Sequence, residues 1–89
     1  MGKFIIIYVV KTQRDYNRLG ITVSRKLGSA VKRNRVRRLI AESFRLSADS
    51  QKKGYDFVVV GRTRAVTAKM NDVLLCMNEL LSKNGLLSA

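Results

Sequence analysis

The stretch from about Ala30 to Arg45 constrains this chain most, because it has two chemically opposed sides. A helical step of about 100° per residue gathers Val36, Leu39, Ile40, Ser43 and Phe44 on one arc. The opposite arc collects Asn34, Arg35, Arg37, Arg38, Ala41, Glu42 and Arg45. A helix of this kind needs an apolar layer under its back and leaves a cationic front outward. Ser29 precedes it as an N-cap, and Gly28-Ser29 breaks the segment before it.

The rest of the chain supplies that layer. Phe4 to Val10 is β-branched and aromatic and too short for an independent helix, so it reads as a strand. Leu19 to Ser24 alternates apolar with small or polar residues, the period of a half-buried strand. The short polar connection between them, with Asp15 and Asn17 as turn formers, predicts an antiparallel pair. Leu46 to Gly54 reads as a polar loop, and Tyr55 to Val60 as a third strand closed by Gly61. From about Thr67 to Lys83, Met70, Val73, Leu74, Met77, Leu80 and Leu81 recur at helical spacing, with Cys76 beside the stripe and Asn84-Gly85 as the stop. The order β-β-α-β-α predicts an α/β sandwich, a small sheet with packed helices, in a single domain over residues 1–89.

Charge narrows the partners. Eighteen Lys and Arg face six Asp and Glu, a formal charge of +12 on 89 residues. Such a surplus repels itself and fits a protein that meets a polyanion, either nucleic acid or an anionic membrane. The basic residues concentrate at Arg25, Lys26, Lys32, Arg33, Arg35, Arg37, Arg38 and Arg45, opposed in that stretch only by Glu42. Most are arginine, whose planar fork matches phosphate and stacks on bases, so nucleic acid is favoured over a merely solvated face. Asn34, a neutral amide within the run, has the donors and acceptors to read a base edge or a sugar hydroxyl.

Other chemistries find no support. Without histidine and with one cysteine, the chain has no zinc cluster, disulfide framework or His-dependent catalysis. Asp15, Glu42, Asp49, Asp56, Asp72 and Glu79 are scattered, and the glycines form no phosphate loop, so neither catalytic nor metal-binding residues are assigned. The longest apolar run, Phe4 to Val10, is far short of a membrane span. Met1-Gly2 lacks the Ser or Thr that a myristoylation signal needs at Ile6. A soluble, cytoplasmic protein without a membrane role is expected. Tyr8 shares a side of its strand with Phe4, Ile6 and Val10. From spacing alone it reads as a core or rim tyrosine rather than as a platform for an unpaired base.

The segment Leu19 to Ile40 closely resembles the signature of the bacterial ribonuclease P protein subunit. It contains Ser24-Arg25-Lys26-Leu27-Gly28-Ser29-Ala30-Val31-Lys32-Arg33-Asn34-Arg35-Val36-Arg37-Arg38-Leu39. The family pattern there is Ser-Lys/Arg-Lys-x-Gly-x-Ala-Val-x-Arg-Asn-Arg-x-Lys/Arg-Arg-Leu. The Ile5-Ile6-Ile7-Tyr8 strand, the Tyr55 to Val60 strand and the leucine-rich last helix also follow the family order. The resemblance implies a non-catalytic protein subunit of a ribonucleoprotein endonuclease, a hydrolase whose catalytic RNA uses Mg²⁺ to remove the 5′ leader of precursor tRNA. It implies that Arg33, Asn34 and Arg35, followed by Arg37 and Arg38, dock on that RNA. It further implies a leader cleft that includes Ile6, Tyr8, Thr22 and Ser24, which reverses the reading of Tyr8. A left-handed crossover between parallel strands across the helix is implied as well.

Two departures stand out. The family usually carries a further basic, Phe-bearing helix before the first strand, whereas this sequence opens at the strand. Bared apolar sheet surface, with self-association or domain exchange, is therefore expected. Ala41 stands at a position that is usually basic in the family. The alternative is a ribosomal or general structural RNA-binding protein with no role in cleavage. Arg33 and Arg35, off the core arc or at its edge, are expected to contribute to RNA binding and little to the fold.

Overall fold

The computed structural model describes residues 4–47 and 51–86; residues 48–50 of the predicted polar loop lie outside them. The elements are β1 (Ile5–Lys11), β2 (Arg18–Val23), a 3-10 turn (Arg25–Leu27), α1 (Ala30–Leu46), β3 (Tyr55–Gly61), a 3-10 segment (Thr63–Thr67) and α2 (Met70–Lys83). Every predicted strand and helix is present. The strands and α1 differ from their predicted bounds by a single residue, so that Leu46 joins the helix and Ser24 leaves the strand. The larger shift is at the last helix, which starts at Met70, with the 3-10 segment occupying the approach.

The expected pairing of the first two strands is overturned. The sheet order is β1-β3-β2, with β3 central, antiparallel to β1 and parallel to β2. A tight hairpin would have joined β1 and β2, but residues 12–17 are long enough to straddle the start of β3 and are bonded to it. Thr12 donates to the Gly54 carbonyl from both its amide (2.8 Å) and its hydroxyl (3.0 Å). Asn17 donates to Lys52 O at 2.8 Å and accepts from Tyr55 N at 2.9 Å. Asp56 receives Arg18 at 3.2 Å and also Arg14, which closes the strap. Gly54 lies at φ +93°, and a Cβ there would come within 2.9 Å of Arg14 O, so only glycine fits beneath this loop.

One face of the sheet and the backs of both helices form the core. Ile5, Val36, Ile40, Phe57, Val59, Val73, Met77 and Leu81 are fully or almost fully buried, and Phe44 meets Phe57 edge-on at 5.1 Å. Of the arcs read from the helical spacing, Leu39, Ser43 and Leu80 are buried as well, Phe44, Met70 and Leu74 are half-buried, and Cys76 is buried with them as a small hydrophobe. Gly61 permits a close approach: a Cβ there would lie 2.7 Å from Val36 Cγ1. The missing side chain therefore lets α1 settle onto the end of β3. Ser29 caps α1 by accepting from Lys32 N at 3.4 Å. At the far end α2 stops in a Schellman motif. Gly85, at φ +69°, donates to Ser82 O, and Leu86 donates to Leu81 O.

Candidate nucleic-acid interface

Burial of Val36, Leu39, Ile40 and Ser43 against the sheet turns the other side of α1 outward. Lys32, Asn34, Arg35, Arg37, Arg38 and Arg45 are exposed, and Arg33 is half-buried. Val31, Asn34, Arg35 and Arg38, spaced along one helix stripe, line a shallow groove of about 360 Å³. Asn34 thus lies among cations at a concave surface, where an amide can meet a base or sugar while its neighbours hold phosphate. Arg25 and Lys26 project from the 3-10 turn just before α1. Ser24 caps that turn by accepting from Lys26 N at 3.1 Å. Gly28, at φ +123°, makes the bend into α1.

The predicted cations are not equivalent. Arg45 pairs with Glu42 one turn back, and that hydrogen bond holds the Glu42 carboxyl below its ordinary range. Arg45 is thereby partly neutralised within its own helix. Arg35 departs from expectation more sharply. Its Nη1 donates to Val66 O at 2.7 Å and its Nη2 to Ala68 O at 2.6 Å, so it also joins α1 to the approach of α2. The helical wheel shows that Arg35 lies off the core arc but gives no view of the carbonyls that topology brings beside it.

The second surface is the sheet face that no helix of the described residues covers. Strand alternation and register place Ile6, Val60 and Thr22 in one row across it, Tyr8, Val58 and Gly20 in the next, and Val10, Asp56 and Arg18 in the third. Tyr8 is 58% exposed. Val58, on the central strand, stands beside Tyr8 and is itself exposed, and Gly20 leaves the β2 end of the row without a side chain. Phe4 precedes the strand and packs with the core, so only Ile6 and Val10 share Tyr8's side. Of the four residues assigned to a leader cleft, Ile6, Tyr8 and Thr22 share this face. Ser24 stands just past the end of β2, on the path from this face to Arg25, Lys26 and α1.

Asp56 edges the same face. Its hydrogen bonds from Arg18 and Arg14 pull its carboxyl from 3.8 to about 2. It is therefore a carboxylate already committed to arginine. Among the described residues no group of three or more His, Cys, Asp or Glu gathers where it could hold a metal ion. Nor is any helix of the described residues long and apolar enough to cross a membrane.

Sequence reasoning overlooked Arg64 and Lys69. They are far from α1 in sequence and sit in no basic run, yet both are exposed on the approach to α2 that Arg35 grips. A count of charge outside the main cluster would have flagged them, but not their placement.

Comparison with known proteins agrees with this fold. The family model described as ribonuclease P matches residues 1–85. The ribonuclease P protein component of Clostridioides difficile is 42% identical over 83 residues, covering 92% of this chain and 73% of that protein. Its counterpart in Clostridium acetobutylicum is 41% identical over 87 residues, covering 96% and 73%. The RNase P protein structure from Staphylococcus aureus superposes with a TM-score of 0.85 at 27% identity, covering 99% of this chain and 81% of that one. The Thermotoga maritima structure gives 0.84 at 31% identity, covering 93% and 79%.

Proposed function

Since this chain belongs to the ribonuclease P protein family and is the protein subunit of that ribonucleoprotein, we propose that its two exposed surfaces divide the work of RNA recognition. The cationic side of α1, with Arg25 and Lys26, docks on the catalytic RNA. The uncovered sheet face receives the single-stranded 5′ leader of precursor tRNA. Magnesium ions held by the RNA supply the hydrolytic chemistry, and the protein supplies no catalytic side chain. This work takes place in the cytoplasm.

The observation that carries this reading is the continuity of the two surfaces. Ile6, Tyr8 and Thr22 share the uncovered face. β2 then leads from Thr22 through Ser24 to Arg25, Lys26 and α1. A leader stacked on Tyr8 has its phosphates near the exit of β2, where cations begin. Each phosphate contact displaces counterions, so affinity falls steeply with salt. Stacking on Tyr8 adds a contribution that tolerates any base, because every base has a π-face. Arginine cations at the junction also reduce repulsion between two RNAs, which lowers the magnesium needed to hold them together.

The test compares precursor and mature tRNA. The reconstituted complex is expected to bind the precursor more tightly. Tyr8→Ala should erode that preference by roughly 5- to 100-fold, the worth of one stacked base, without affecting binding of mature tRNA. Equal affinity for both tRNAs would contradict the leader assignment and favour a general RNA-binding role. An unchanged preference in Tyr8→Ala would remove Tyr8 from the leader site.

A further inference from the structure

Arg35 lies in a run of residues that read as phosphate ligands, yet both of its terminal nitrogens meet protein carbonyls. The bonds to Val66 O and Ala68 O, 2.7 and 2.6 Å long, have the length of charge-assisted pairs and cross 31 and 33 residues of sequence. The carbonyls lie where the 3-10 segment gives way to α2. Ala68 closes that segment, and Lys69 caps α2, its amide donating to Asp72 at 3.0 Å. The guanidinium fork presents a separate nitrogen to each acceptor, whereas lysine and glutamine each offer one nitrogen at the tip of the side chain.

The grip has a consequence for the surface. Arg64 is two residues from Val66, about 4 Å along a 3-10 path, and Lys69 follows Ala68. Both side chains are exposed. On the α1 side, Arg35 shares its groove with Asn34 and Arg38. We propose that Arg35 is a positioning residue for RNA binding. Its guanidinium clamps residues 66–68 to α1 and so stations Arg64 and Lys69 beside Asn34 and Arg38, making one cationic surface from two elements. The inference rests on the reading that the α1 face binds the catalytic RNA.

A phosphate ligand and a clamp differ in what they tolerate. Lysine keeps the charge a phosphate needs but lacks the fork that gives each carbonyl its own nitrogen. Binding of the full chain to the catalytic RNA subunit is therefore measured for Arg35→Lys, Arg35→Gln, Arg64→Ala, Arg35→Lys with Arg64→Ala, and Arg38→Ala. Arg35→Lys is expected to lose about as much affinity as Arg35→Gln. Arg64→Ala should weaken the native chain at least about threefold more than it weakens Arg35→Lys, a coupling that a role confined to folding does not produce. Arginine modification of the native chain gives a second readout independent of variant folding. RNA should protect Arg64 together with Arg38.

Full retention of affinity by Arg35→Lys would make Arg35 a direct ligand and overturn the proposal. Additive effects of Arg35→Lys and Arg64→Ala would also overturn it, as would an Arg64 left reactive in the complex. If Arg38→Ala too binds RNA like the native chain, the underlying reading of the α1 face fails instead, and the clamp proposal falls with it.

Discussion

Gly61→Ala tests the packing that sets the cationic helix in place. The added Cβ would lie 2.7 Å from Val36 Cγ1 and 3.4 Å from Ile40 Cδ1. Carbon atoms rest at about 3.5–4.0 Å, so the first contact must open by roughly 1 Å. Val36 cannot readily yield, because a β-branched side chain in a helix has one strongly preferred rotamer, and both Val36 and Ile40 have no exposed surface. Overpacking of this kind costs about 1–3 kcal/mol. The lost freedom of the unfolded glycine returns roughly 0.4–1 kcal/mol. A net loss of about 1–2 kcal/mol lowers the melting temperature of a domain this size by roughly 4–16 °C. Thermal and denaturant melts of the native chain, Gly61→Ala, Val36→Ala and the double variant measure it. The double variant should be at least about 1 kcal/mol more stable than the sum of single effects predicts, since removing the valine methyls makes room for the new Cβ. A Gly61→Ala chain melting within about 2 °C of native, or effects that add within about 0.5 kcal/mol, would refute the argument.

Asp56 predicts an acid limb in the stability profile. Its carboxyl falls from 3.8 to about 2 in the folded chain through hydrogen bonds from Arg18 and Arg14. The unfolded chain therefore binds more protons in that window, and stability rises with pH through it. The contribution is complete above about pH 4 and is lost as pH falls toward 2. The stability difference between the native chain and Asp56→Asn should be largest above pH 4 and shrink below it. A constant difference across that range would detach Asp56 from the strap. Arg37→Ala and Arg38→Ala remove exposed cations, so each should leave the melting temperature nearly unchanged and lower the salt slope of RNA binding by about one unit. Unchanged slopes from binding titrations at several salt concentrations would exclude both from phosphate contact.

Helix α1 is legible in the sequence because two signals coincide: an apolar arc at the helical period and a Ser29 cap. Its cationic side follows directly, as does the buried stripe of α2. The strand order is not legible. Connection length alone favours a β1–β2 hairpin, and the bonds that exclude it join Thr12, Arg14 and Asn17 to residues 52–56, some 35 to 42 positions away. Arg35 shows the same limit at a single residue. Periodicity gives the direction in which a side chain leaves the helix, but the carbonyls of Val66 and Ala68 come beside it only when the chain folds back. Tyr8 is intermediate: strand alternation gives its side, while its exposure depends on whether anything covers that side of the sheet. Arg64 and Lys69 have no local pattern and become neighbours of α1 only through the fold.

Precursor-tRNA cleavage by the catalytic RNA at low magnesium, with and without this chain, tests the central claim most directly. The chain is expected to raise the cleavage rate under conditions where the RNA alone is slow, and that gain should fade as magnesium or monovalent salt is raised. A folded, RNA-bound chain that gives no gain in cleavage at any magnesium concentration would contradict the account.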